Sequence, residues 1–256
     1  MSLPHIPHFT AHLLHFGVVI RESFYCHFLH GNVVGYRTEK ALAKGNSLVC
    51  MSFLSPGLTG SDVKDLVPGN VGSFVNGEIN FRSLDAYGRT VDGSGVLYYG
   101  YDGMTGWFDG STLAPATKTF TPGEAVWIAL PGNDEDDVSS ISLTNAGEVN
   151  ATDITLTLRQ GNTAIGNMMA INYPIADIEV GNHGPLVNGE INFRSLDAYG
   201  RTVEGSGYLY FGYEGMTGWF DGSSYTPASA TLAPGQGIWV ASTAEGVTLK
   251  FYAPDL

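Results

Sequence analysis

The sequence predicts an all-β protein: two tandem antiparallel β-sandwich or barrel modules arising from an internal duplication, preceded by an apolar N-terminal arm. Three observations carry this. Glycine supplies 34 of 256 residues, and each interior glycine costs a helix about 1 kcal/mol relative to alanine. Short apolar stretches alternate with period two and are punctuated by Gly, Pro, Asn and Asp. The chain also contains part of itself twice. Val75–Val91 reads VNGEINFRSLDAYGRTV and Val187–Val203 repeats it without change, 112 residues on. Over Val75–Leu130 and Val187–Ser242, 40 of 56 positions are identical without a gap. The flanks have drifted, and LAKGNSLVCMSF matches LRQGNTAIGNMM only at a displacement of 116.

This organisation divides the chain into an arm, residues 1–30, and two modules, residues 31–149 and 150–256. Each module is about the size of one ordinary domain. Acidity belongs to the modules: 14 acids face 7 bases in the first and 10 face 4 in the second, while the arm is neutral. A net charge of −13 opposes a phosphate backbone, which wants a basic stripe. No run of about 18 apolar residues is present to form a transmembrane helix. Hydrophobic content of 43% argues against disorder.

In Val75–Leu84, Val75, Ile79 and Phe81 share one parity while Asn76, Glu78, Asn80 and Arg82 share the other, as on a half-buried strand. Leu97, Tyr99 and Tyr101 alternate in the same way. From Glu124 to Leu130 both parities are apolar, so this strand should be buried on both faces. Asp92-Gly93, Asp102-Gly103 and Asp109-Gly110, with Glu204-Gly205, Glu214-Gly215 and Asp221-Gly222, stand where hairpins should turn. One short helix per module is expected, at Ser61–Leu66 in the first. The order NVVGYRTEKALAKGNSLVCMSF, LYYGYDGMTGWFDGS, PGEAVWIA, SLTNAGEV resembles the β-modules found in tandem in uncharacterised secreted bacterial repeat proteins, especially planctomycete- and verrucomicrobia-like ones. The resemblance spans about residues 31–256. It implies an exported, non-enzymatic surface or extracellular module and supplies no catalytic residues.

The arm holds six of the seven histidines. His5, His8, His12 and His15 interrupt the apolar run that a signal peptide needs. On a helix they would form a stripe able to bind metal or titrate near pH 6.5. The simpler expectation is an amphiphilic arm that binds no metal, with Ile6, Phe9, Leu13, Leu14, Phe16 and Val18 packing on a neighbour. Val18–Ile20 and Phe24–Leu29, including Phe24 and Phe28, read as strands that would complete a sheet by strand addition. Cys26 and Cys50 are too few for a disulfide framework, although one bond between them is feasible.

No cofactor motif appears. The counterpart of His183 in the other copy is Val71 and Cys50 has no matching cysteine there, so no nucleophile–histidine site belongs to the repeated unit. A carboxylate pair built from Glu78 with Asp85 or Asp109 is the remaining catalytic arrangement, but aspartates beside glycines more often form turns. Calcium would find carboxylates in these loops without EF-hand spacing, and Asn133–Asp137 reads as a solvated hairpin. Tyr101, Trp107 and Asp109, with Tyr213, Trp219 and Asp221, combine aromatic faces with carboxylates, the chemistry of sugar recognition. Against it stands the expectation that the tryptophans fill a glycine-rich core. The rows Glu78, Asn80, Arg82 and Glu190, Asn192, Arg194 each place an acid, an amide and a base along one strand face, able to pair across subunits. The expected role is a structural protein of the cell surface or extracellular space. It would assemble with copies of itself through the arm and these faces, with bivalent glycan binding as the alternative.

Overall fold

The computed structural model describes residues 35–43, 45–69, 80–82, 95–101, 104–130, 140–183, 191–194, 207–213 and 216–254. The arm, the acidic stretch 133–137 and the residues Glu78, Asp85 and Glu190 lie outside them, as does Cys26. Among the described residues strand predominates, helix is confined to two short 3₁₀ turns, and no helix is long and apolar enough to cross a membrane.

Residues of the first copy form β1 (Gly35–Ala43), β2 (Gly45–Cys50), β3 (Ser61–Asp62), β4 (Leu66–Gly69), β5 (Asn80–Arg82), β6 (Val96–Tyr101), β7 (Met104–Asp109), β8 (Thr119–Phe120), β9 (Ala125–Leu130) and β10 (Ser140–Glu148). Those of the second form β11 (Ile154–Thr157), β12 (Gly161–Gly166), β13 (Tyr173–Pro174), β14 (Glu179–Gly181), β15 (Ile191–Arg194), β16 (Tyr208–Tyr213), β17 (Met216–Asp221), β18 (Thr231–Leu232), β19 (Gly237–Ser242) and β20 (Thr248–Phe251).

The two sets pair alike. A five-stranded sheet runs β2-β9-β5-β6-β7 in one and β12-β19-β15-β16-β17 in the other; three-stranded sheets run β1-β10-β4 and β11-β20-β14, and two-stranded ones β3-β8 and β13-β18. Every described ladder is antiparallel and each sheet is open. The common order extends through the flanks, where the two sequences differ.

The expected helix at Ser61–Leu66 is not an α-helix. Ser61 and Asp62 pair with β8, Val63–Asp65 make a single 3₁₀ turn, and Leu66 enters β4. The Asp62 carboxylate accepts the Lys64 amide at 2.9 Å, closing the turn locally. Val63 is wholly buried and its amide donates to the Lys118 carbonyl, so bonds to distant residues of the same chain replace the helical ladder. The second copy makes the same 3₁₀ turn at Ile175–Asp177 with Pro174 in place of the capping aspartate and without a side-chain cap, and the Ile175 amide donates to the Ala230 carbonyl.

β9 is buried on both faces, as its double apolar parity requires: Ala125, Val126, Trp127 and Ile128 are all core residues. Val126 and Ile128 join Val49, Met51, Leu66 and Phe120 inside the first copy. Leu48, Cys50, Ala125 and Trp127 point the other way, into a core shared with the second copy. The Trp127 and Trp239 rings meet there at 6.3 Å.

Candidate functional site

The aromatic hairpin singled out in the sequence is β6–β7, matched by β16–β17. Its register pairs Tyr98 with Trp107 and Leu97 with Phe108; Tyr210 pairs with Trp219 and Leu209 with Phe220. Opposed residues share a face, so the tryptophans turn inward. Trp107 is 6% exposed and Trp219 3%. Each indole Nε1–H donates to a backbone carbonyl, Leu66 at 2.9 Å and Ile178 at 2.8 Å. Tyr98 and Tyr210 pack edge-on against them at 5.0 and 5.2 Å. Burial holds the Tyr210 hydroxyl above its ordinary pKa, with a lesser push from Glu179. The indoles are thus core members and offer no ring face to a sugar. Replacing Trp107 by Phe keeps a ring but leaves the Leu66 carbonyl without its donor, and should cost about 1–3 kcal/mol in urea unfolding. An unchanged midpoint would show that the bond contributes nothing.

The candidate carboxylates serve their own loops. Asp109 Oδ1 accepts from the backbone amides and hydroxyls of both Ser111 and Thr112, at 2.6 to 3.0 Å. Asp221 accepts the same four bonds from Ser223 and Ser224. Led by the serine hydroxyl in each case, these donors lower both pKa values to about 2. Stabilisation of the ionised loop is therefore complete above the ordinary carboxylate pKa near 3.8 and is lost as the pH falls through about 2. Carbon-13 titration of the two carboxyls should give midpoints near that lower value, whereas ordinary midpoints would mean that the cage does not form.

This cage folds the loop back along the edge strand. The Asp109 amide donates to Ala114 and the Ala116 amide to Trp107; Asp221 to Thr226 and Ala228 to Trp219 do the same. The loop tips are unusual. Leu113 and Tyr225 have φ of 57° and 56°, left-handed conformations that cost a non-glycine residue roughly 1–2 kcal/mol. They are 52% and 60% exposed. Each copy thus strains its backbone at a tip that displays a large side chain to solvent.

Beside each tip lies the outward face of the hairpin, half-buried Leu97, Tyr99 and Phe108 in one copy and Leu209, Phe211 and Phe220 in the other. Tyr99–Phe108 and Phe211–Phe220 are edge-on pairs at 5.6 Å, and Tyr225 lies 6.5 Å from Phe211. Gly106 and Gly218 sit between the rings with open space where a side chain would project. Tyr101 pairs with Met104 and Tyr213 with Met216 at the hairpin ends. Sequence reasoning chose the tryptophan of each Trp-Phe pair, but the partner of Leu97 and Tyr99 by parity is Phe108. Asn80 and Arg82 stand opposite Ala129 and Trp127, and Asn192 and Arg194 opposite Ala241 and Trp239.

The contact between the copies is reciprocal. Val49 bridges Gln236 while Ile165, the equivalent of Val49, bridges Glu124, the equivalent of Gln236. The Cys50 amide donates to Gly235 and the Gly166 amide to Gly123, both at 3.0 Å. Each bond has a mate in which the copies exchange roles, the signature of an isologous interface. Trp127 and Trp239 are equivalent residues and touch near the local twofold axis. Gly166 faces Cys50 so closely that a Cβ on it would lie 2.2 Å from that of Cys50. No protein-family model, curated protein or solved structure matches this chain.

Proposed function

We propose that this chain is a non-enzymatic structural protein of the cell surface or extracellular space that assembles with copies of itself. The observation that carries the proposal is the pair of strained, exposed tips, Leu113 and Tyr225, each set beside an outward apolar stripe. A left-handed site on a surface loop is cheapest with glycine. Keeping a large apolar residue there in both copies is consistent with a contact made by its side chain. Leu and Tyr share apolar surface but not a hydroxyl, which favours a protein partner over one read by hydrogen bonds. Because the copies are joined about a local twofold axis, one chain carries two equivalent surfaces, and a self-contact through them propagates. The arm, with Ile6, Phe9, Leu13, Phe16, Phe24 and Phe28, is the second element of this assembly. We further infer that each module is a small sandwich, since Leu42, Leu66 and Leu143 of one three-stranded sheet share a core with Val49, Val126 and Ile128 of the five-stranded one.

Analytical ultracentrifugation of the intact protein over a wide concentration range tests the proposal. Mass should rise with concentration and fall in a Leu113→Ser/Tyr225→Ser variant and in a chain lacking residues 1–30. A monomer at every concentration overturns it.

The open glycine positions between half-exposed rings favour a second reading, bivalent glycan binding with Tyr99, Phe108, Phe211 and Phe220 in place of the tryptophans. Retention on a glycan array that is lost in a Phe211→Ala/Tyr99→Ala variant would establish it in preference to assembly.

A further inference from the structure

We propose that the interface between the two copies is exchangeable, and that its second partner is the equivalent surface of another copy of this chain. An isologous contact is self-complementary. The surface built from Leu48, Cys50 and Trp127 is met by the one built from Ala164, Gly166 and Trp239, and the two arise from equivalent strands. The module that supplies the partner surface need not belong to the same chain. Only Val149–Asp153 connects β10 to β11. This connector is held by one local bond, Asn150 Nδ2 donating to the Thr152 carbonyl, and by one bond from the far end of the second module, the Ala253 amide donating to the Asp153 carboxylate. If it opens, the first module of one chain meets the second of another through the same bridges and the same tryptophan pair. Each swapped chain still has one surface to offer, so exchange yields either a closed pair or an open series.

This inference rests on the self-assembly reading and adds a route to it that needs neither the arm nor the tips. Contact through tips forms between folded chains and reverses on dilution. Exchange requires the copies to part, so it forms during refolding and then persists.

The test uses two full-length versions carrying different affinity tags, mixed either as native proteins or in urea before refolding at high concentration. The soluble fraction is diluted, captured through one tag and probed for the other. Exchange is expected to give doubly tagged species after co-refolding that survive dilution. Species that form from native protein and vanish on dilution, with none persisting after co-refolding, would overturn exchange and leave self-assembly standing. Mixed species absent under both conditions overturn both. A covalent check places Val49→Cys and Gln236→Cys across the bridge, with Cys26→Ser and Cys50→Ser removing the native thiols. On a non-reducing gel the persistent fraction should then run as linked dimers and higher species. If it runs as single chains closed on themselves, the persistent contact lies elsewhere and exchange fails.

Discussion

Trp239→Ala should lower the unfolding free energy by about 3–5 kcal/mol, the range for deleting a fully packed aromatic side chain. Trp239 is 5% exposed and belongs to a core to which both copies contribute. The cavity would open between β9 and β19, where strands buried on both faces have little freedom to collapse into it. Trp127→Ala should cost a similar amount. The double variant should cost less than the sum, because the rings touch and the first truncation already removes the contact. Guanidinium unfolding followed by near-ultraviolet circular dichroism and by backbone signal measures this. Since the core is shared, both probes should report one coincident transition. Two separate transitions would mean that the modules are thermodynamically independent and that the tryptophan contact is incidental.

Gly166→Val should be nearly as damaging, through overpacking. The new Cβ would lie 2.2 Å from the Cβ of Cys50 and 2.8 Å from the backbone oxygen of Gln236. Separating them means moving β12 away from β2, and forced expansion of a packed interior typically costs about 1–3 kcal/mol. The local twofold adds a sharper expectation. Cys50→Gly on the Gly166→Val background removes the facing Cβ and should recover part of the loss, whereas Cys50→Ser keeps that atom and should recover none. Recovery by neither would show that the backbone oxygen of Gln236, rather than the facing side chain, sets the cost.

Much of this fold can be read directly. The double apolar parity of Glu124–Leu130 foretells a strand buried on two sides, and Tyr101 and Met104 pair around Asp102-Gly103 as the hairpin signal requires. The turn at Ser61–Leu66 misleads, because an acid, a lysine and apolar residues at helical spacing suit a 3₁₀ turn equally well; bonds to residues more than fifty positions away decide. The aromatic site was legible only in part. Ring chemistry points to Trp107 and Trp219, but the parity of Leu97, Tyr99 and Phe108 assigns the outward face to their neighbours. The strained tips carry no signal, since neither Leu113 nor Tyr225 belongs to a residue type that favours positive φ. The contact between copies is the least visible, because it depends on Cys50 meeting Gly166, two positions that differ within the drifted flank.

Reciprocity also bears on how many modules such a chain can hold. An isologous surface is satisfied in pairs, and the tryptophan of each module meets that of its mate. A single module, or a third added by recombination between the two identical seventeen-residue stretches, would leave one tryptophan surface without a mate in its own chain. An odd number of modules on this plan should therefore oblige two chains to pair through that surface.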